Sequence, residues 1–317
     1  MGQVADSLRQ VPLILPAWRA LNRLPWLRRL REDWAIWRLY GRLRPTHLLL
    51  PGTQHRMYVD PRENRGRAIL RCRAEGQPGL KTLWHQANAQ LQPTLVLDVG
   101  LNYGEFVLAE SYAPETRILG IEANPELMSW LERSRHDHPN GRQMEFYHAL
   151  AADKTEGARS FFINRRWSGS SSAVQPDRDA QVNECQIPTL AVDDLVADRN
   201  LSQDTLLFKI DVEGYEPMVM AGMRQLLQNC PRWLGLLEFN TAFFQRMGWD
   251  VGDYLRSLVD RSRVSIVDHA GQVQSLTPEL VAAWSERSGT DPEVCVDLLV
   301  VSPLVEFLPA GTTRPGR

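Results

Sequence analysis

Residues 94–104 read TLVLDVGLNYG, an apolar run that closes on an acid, Asp98, and then turns through Gly100 and Gly104 toward a helix. An unbroken apolar run of this kind reads as a strand buried on both faces, which occurs where helices cover a parallel sheet. From Pro93 onward short apolar runs alternate with helix-length amphipathic stretches, so an α/β domain with crossover helices is expected. Thr94 to Asp98, Arg117 to Glu122, Met144 to Leu150, Leu206 to Asp211 and Trp233 to Phe239 read as five strands, and Val264 to Asp268 and Val294 to Ser302 as two more. Between these last two, Pro278 to Ser288 is helical or turn-like. An insertion between the third and fourth strands is strand-like at Ser160 to Asn164 and Cys185 to Thr189. Its flexible Ser168-Gly169-Ser170-Ser171-Ser172 stretch could cover a site.

With 317 residues, 43% hydrophobic and 23% charged, the chain can bury a full core. Lys plus Arg number 36 against 38 Asp plus Glu, so no global basic field recruits nucleic acid, and such a partner is disfavoured. No run approaches the roughly 18 apolar residues that span a bilayer, and the N-terminus lacks the order of a signal peptide. A cytoplasmic location is therefore expected. Cys72, Cys185, Cys230 and Cys295 form no C-x-x-C pair and are expected to be buried small apolar residues. His136, His138, His148 and His269 lack metal-ligand spacing.

The first 44 residues are different. Arg9, Arg19, Arg23, Arg28, Arg29, Arg31, Arg38, Arg42 and Arg44 face only Asp6, Glu32 and Asp33, with Trp18, Trp26, Trp34 and Trp37 interleaved at helical spacings around a break near Pro25. This segment is expected to pack on the core or on a second subunit. Arginine with interfacial tryptophan also suits a peripheral membrane helix or another partner.

The glycine loop carries the chemistry. Its spacing is G-x-x-x-G, not the G-x-G-x-x-G that seats a pyrophosphate on a helix N-terminus, which disfavours NAD. Asp98 would repel a phosphate but can accept from a cationic amino acid group, and Glu122, ending the second strand, can take both hydroxyls of an adenosine ribose. S-adenosylmethionine has an ammonium and no phosphate. Each acid could alone be a helix-start carboxylate or cap, but jointly with Gly100 and Gly104 they read as an adenosine site.

These residues resemble the FkbM family of S-adenosylmethionine-dependent methyltransferases. The family's first motif is matched by Asp98, Gly100, Asn102 and Gly104, and its E-P-N-P-like second motif by Glu122-Ala123-Asn124-Pro125, with alanine for the first proline. Pro188 to Leu195 and Phe208 to Glu216 are similar to its T-x-D-D-L and K-I-D-V-E-G-x-E signatures. The resemblance covers about residues 93 to 302. It implies a Rossmann-like class I methyltransferase fold: a seven-stranded, mostly parallel sheet with helices on both faces and its last strand antiparallel. The spacing and composition outside this span add an N-terminal helical extension and lead-in over residues 1–92 and a turn-rich, flexible tail over 303–317. The resemblance also places Asp98, Gly100, Asn102, Gly104, Glu122 and Ala123 at the cofactor, with Asp153 beside the adenine amino group.

Asp211 and Glu213 lie just past the fourth strand, at the edge where ligands bind. Asp211 is the first choice for the base that takes a hydroxyl proton, then Glu213 and Glu238, with Lys209 pairing with an acid there. An ion-pair cluster or helix-start cap is the structural alternative for these acids. A divalent cation held by Asp211, Glu213 and Glu238 is the minor alternative, and no metal is assigned. Arg165, Arg166, Trp167 and Ser168 are candidates for an acceptor lid. The expected reaction is methyl transfer to a hydroxyl of a sugar, polysaccharide or secondary metabolite, so the partner is a small-molecule or glycan acceptor. An inactive scaffold acting through the Arg/Trp segment and an NAD-dependent oxidoreductase are the rivals.

Overall fold

The computed structural model describes residues 25–176, 181–286 and 294–309. It opens with α1 (Pro25–Tyr40), an antiparallel hairpin of β1 (His47–Leu49) and β2 (Arg56–Tyr58), then α2 (Asn64–Cys72) and α3 (Pro78–Leu91). There follow β3 (Leu95–Val99), β4 (Arg117–Glu122), α4 (Pro125–Asp137), β5 (Met144–His148), β6 (Leu150–Ala151), β7 (Ala158–Asn164), β8 (Val182–Leu190), α5 (Val192–Leu195) and β9 (Thr205–Ile210). The chain continues through α6 (Glu216–Gly222), α7 (Arg224–Asn229), β10 (Arg232–Asn240), α8 (Thr241–Met247), α9 (Val251–Val259), β11 (Arg263–Val267), β12 (Val273–Ser275), α10 (Pro278–Glu286) and β13 (Cys295–Val301).

The main sheet runs β12-β11-β13-β10-β9-β3-β4-β5. From β5 to β10 each neighbour is parallel, and β13 lies antiparallel between β10 and β11. This is the Rossmann-like class I sheet that the sequence implies, antiparallel last strand included. The eighth strand, β12, is short and mostly exposed on the edge, without the apolar run by which the others are recognised.

Three local expectations are corrected. The expected third strand divides at Ala149, whose N–H still reaches the Glu122 carbonyl (3.1 Å), after which Leu150 and Ala151 pair with β8 in the insertion's own three-stranded sheet. No α-helix follows the glycine loop, where a 3₁₀ turn at Val107–Ala109 stands instead. Asn102 (φ 51°) and Gly104 (φ 79°) take left-handed backbone that a right-handed helix cannot continue. Leu83, Trp84, Ala87 and Leu91 of α3 already pack with Val96, Leu207 and Leu234 of the sheet. The region before β3 is thus a layer of the main core that includes a hairpin, not a purely helical lead-in. The cysteines, all thiols, also depart from the expectation that they are buried: Cys230 is, Cys72 and Cys185 are half-buried, and Cys295, at the start of β13, is exposed.

Residues 1–24, with Arg9, Trp18, Arg19 and Arg23, lie outside the described residues, as do 310–317 of the tail. No helix among the described residues is long and apolar enough to cross a membrane.

Candidate active site

The order of the sheet reverses at β3, which has β4 on one side and β9 on the other, and the carboxyl ends of these strands frame the crevice where α/β sheets bind ligands. Gly100 turns the chain out of β3 at φ +83°, and a Cβ there would stand 1.9 Å from the carbonyl oxygen of Asp211. Only glycine lets the loop after β3 pass this close to the end of β9.

Glu122 closes the loop from the other side. One carboxylate oxygen accepts the Asn102 N–H and the other the Asn124 N–H, both at 2.7 Å. Burial pushes its pKa up to about 7, against the pull of these amides. Asn124 caps α4 through a bond from the Glu126 N–H (3.0 Å). Asp98 is buried beneath the loop, opposite Lys209 in the β3–β9 register, and burial lifts its pKa to about 6 while Lys209 draws it back.

Acids from three strands gather on the far side. Lys209, buried in β9, bonds Asp211 at 2.7 Å and lies 4.9 Å from the Phe106 ring centroid. Burial works against its charge, but Asp211 and Asp98 outweigh that and raise its pKa above the ordinary value. Burial and then Asp211 push Glu213 up to about 8, Glu238 well above the usual range, and Asp297 to about 6. Glu216 accepts the Val212 (3.1 Å) and Gly214 (3.2 Å) N–H groups, and burial lifts it to about 7. One carboxylate oxygen each from Asp211, Glu213 and Glu238 lie within 4.8 Å of one another, close enough to share protons or to hold a cation.

Ser168, Gly169 and Ser171 of the insertion line one side of the crevice. Residues 164–172 are held at one end by α2, where the Ser168 N–H bonds Glu63 (3.1 Å) and the Asn64 side chain bonds the Arg166 carbonyl (2.7 Å). At the other end the Ser172 hydroxyl donates to the Glu213 carbonyl (2.6 Å). The space left beneath is about 50 Å³.

Of the residues read from the sequence, Gly100, Asn102, Glu122, Ala123, Ser168, Asp211 and Glu213 line this cavity. Asp98 and Lys209 lie buried behind its wall, Gly104 shapes the loop, and Glu238 joins the acid cluster. Asp153 is instead ion-paired with Arg159 (2.8 Å) and does not line the cavity, while Arg165 and Arg166 are exposed on the insertion. Trp167, 36% exposed, lies under the Arg65 guanidinium, 5.6 Å from the ring centroid. Sequence reading missed Glu63 and Asn64, which hold residues 164–172, and Phe161 and Asp297, which reach the site through pairings distant in sequence.

Four buried polar atoms find no protein partner here: Asp98 Oδ1, Asn102 Oδ1, Ser168 Oγ and Glu238 Oε2. Asn102 and Ser168 line the cavity, where a polar ligand would satisfy them.

The Methyltransferase FkbM domain profile matches residues 98–264. No curated protein matches the chain significantly. Among solved structures, the methyltransferase FkbM from Methylobacillus flagellatus KT is 12% identical, with 86% of this chain and 59% of that one covered and a TM-score of 0.40. The O-methyltransferase TomG from Streptomyces achromogenes, in complex with SAM, is 11% identical over 70% of this chain and 79% of its own, with a TM-score of 0.39. An O-methyltransferase from Bacillus cereus in complex with SAH is 11% identical over 71% and 81%, with a TM-score of 0.38. The profile spans more than half of the chain, from the acid beneath the glycine loop to the start of β11, and by it the chain belongs to the FkbM methyltransferase family.

Proposed function

We propose that this methyltransferase moves the methyl group of S-adenosylmethionine to a hydroxyl oxygen of a sugar, polysaccharide or secondary metabolite. The observation that carries this reading is the pair of unsatisfied buried oxygens, Asn102 Oδ1 and Ser168 Oγ, in a cavity lined by Glu122, Asp211 and Glu213 and, among the described residues, by no lysine or arginine. A cationic cofactor without phosphate fits that donor set, and a dinucleotide does not. Asp98, Asn102 and Glu122 would hold it, with Gly100 and Ala123 giving the backbone room. Bound there, the cofactor supplies a methyl group on a sulfonium. Ligands of this size need roughly 300 Å³ or more, so residues 164–172 swing away on binding and close again to exclude water. Asp211, ion-paired with Lys209, takes the proton of the attacking hydroxyl, with Glu213 and Glu238 beside it as the next candidates. Arg165, Arg166 and Trp167 on the lid meet the acceptor.

Calorimetric titration with S-adenosylmethionine and with NAD, on the native chain and an Asp98→Asn, Glu122→Gln variant of unchanged circular dichroism, tests the cofactor. Saturable binding of S-adenosylmethionine that the variant loses is expected, and binding of NAD alone would sink the reading. Labelled methyl incorporation into glycans and small alcohols then tests the acceptor. Asp211→Asn should lower kcat by roughly 10²–10⁴ with little change in cofactor affinity.

A further inference from the structure

We infer that α1 is an interfacial helix that seats the protein on an anionic lipid surface. One side of α1 is fixed to the body: Ile36 is fully buried, the Tyr40 hydroxyl donates to the Leu70 carbonyl (2.9 Å), and Arg67 pairs with Glu32 (3.4 Å) and Asp33 (2.8 Å). Arg71 adds a second bond to Glu32 (3.1 Å). These contacts hold the other side outward. It carries Trp26, Leu30, Trp34 and Trp37, spaced by four, four and three residues so that they share one stripe, and they are 59, 56, 50 and 51% exposed. Leu39 and Leu43 extend the exposed apolar surface toward β1.

Charge complementarity decides what this stripe meets. Beside it Arg31, Arg38 and Arg42 are exposed, and the Arg38 guanidinium lies 5.6 Å from the Trp34 ring centroid, while Arg28 pairs with Glu32 (3.2 Å) on the side away from the stripe. The two acids of α1, Glu32 and Asp33, are engaged with α2, so the outward surface is apolar and cationic. Tryptophan and leucine flanked by arginine suit the boundary between headgroups and acyl chains, and anionic headgroups answer the arginines. With 16 described residues and this many cations, α1 lies along the surface instead of spanning it. The Arg29 side chain reaches Asn64 (3.3 Å), whose amide holds the Arg166 carbonyl, so α1 borders the contacts that hold residues 164–172. Docking along α1 would thus bring the mouth of the crevice near the lipid surface.

The test is co-sedimentation of the full chain with vesicles of phosphatidylcholine alone and with about one-third phosphatidylglycerol. Binding at least about tenfold tighter to the anionic vesicles, weakened by salt, is expected. Trp34→Ser with Trp37→Ser, and separately Arg38→Glu with Arg42→Glu, should each lower it about tenfold or more while circular dichroism and S-adenosylmethionine affinity stay unchanged. Equal affinity for both vesicles, no binding to either, or binding that survives both double variants overturns the inference. So does a dimer in sedimentation velocity that the tryptophan variant dissolves without any vesicle binding, which would make the stripe a subunit interface. S-adenosylmethionine affinity, measured in parallel, keeps failure here distinct from failure of the cofactor assignment.

Discussion

The two halves of the crevice handle buried carboxylates differently. On the β3–β4 side Glu122 is tied to two backbone N–H groups, so the fold itself supplies the partners that its charge needs. On the β9–β10 side Asp211, Glu213 and Glu238 face one another with Lys209 as their buried cation, and burial and mutual repulsion leave Glu213 and Glu238 with raised pKa values. Backbone amides cannot move without unfolding the loop, whereas protons on crowded acids can. On the function proposed above, the first half holds the cofactor and the second takes up and releases a proton.

Removing the one ammonium should break this contrast most severely. Lys209→Met leaves Asp98, Asp211 and Asp297 without their buried counter-charge, and losing one member of such a group costs on the order of 3 kcal/mol or more. Urea unfolding should register that loss at pH 7 and a smaller one at pH 5, where protonation relieves the acids. Equal losses at both values would show that Lys209 serves packing alone.

Gly100→Ala attacks the seam between the halves. Left-handed backbone costs a non-glycine residue about 1–2 kcal/mol, and a methyl 1.9 Å from the Asp211 carbonyl must also push the end of β9 away. Cofactor affinity and kcat should fall together. A variant that loses only stability would mean that the two strand ends are not coupled through this contact.

How much of this could be read from sequence follows from how local each cause is. The buried strands are contiguous apolar runs, and Asp98, Gly100 and Glu122 sit at their ends, so the sheet and the cofactor half were legible. Strand β12 was not, because an edge strand of three mostly exposed residues has no apolar run to betray it. A helix was expected after Gly104, but the positive φ of Asn102 and the cover already supplied by α3 come from tertiary structure. Asp153 was expected beside the adenine, yet β7 brings Arg159 onto it. The acid cluster was partly legible: Asp211, Glu213 and Glu216 share one motif and Glu238 lies near the end of the next strand, while Asp297 joins only through the antiparallel pairing of β13 with β10.

The raised acids also fix a pH dependence. Asp98 and Asp297 at about 6, Glu122 and Glu216 at about 7 and Glu213 at about 8 all lie above the ordinary carboxyl value. The folded chain therefore keeps protons that the unfolded chain has released, and stability falls as pH rises from about 4 through about 8, then levels. Urea midpoints across that range should show the decline, and Glu122→Gln should flatten its middle part. A midpoint that rises with pH would mean that these groups are charged in the folded state.

The smallest effect sharpens the comparison at its rim. Glu63 caps α2 by accepting the Arg65 (2.9 Å) and Gly66 (2.7 Å) N–H groups, and the same carboxylate takes the Ser168 N–H of the lid. Glu63→Ala should cost about 1 kcal/mol as a lost cap. Its larger consequence is kinetic, because the lid keeps its tie to Glu213 through Ser172 but loses its tie to α2. Stopped-flow measurement should find S-adenosylmethionine entering and leaving faster, with the dissociation constant shifted less than either rate. Unchanged rates would assign Glu63 to the helix alone and leave the Ser172 contact with the proton-handling half as the restraint on opening.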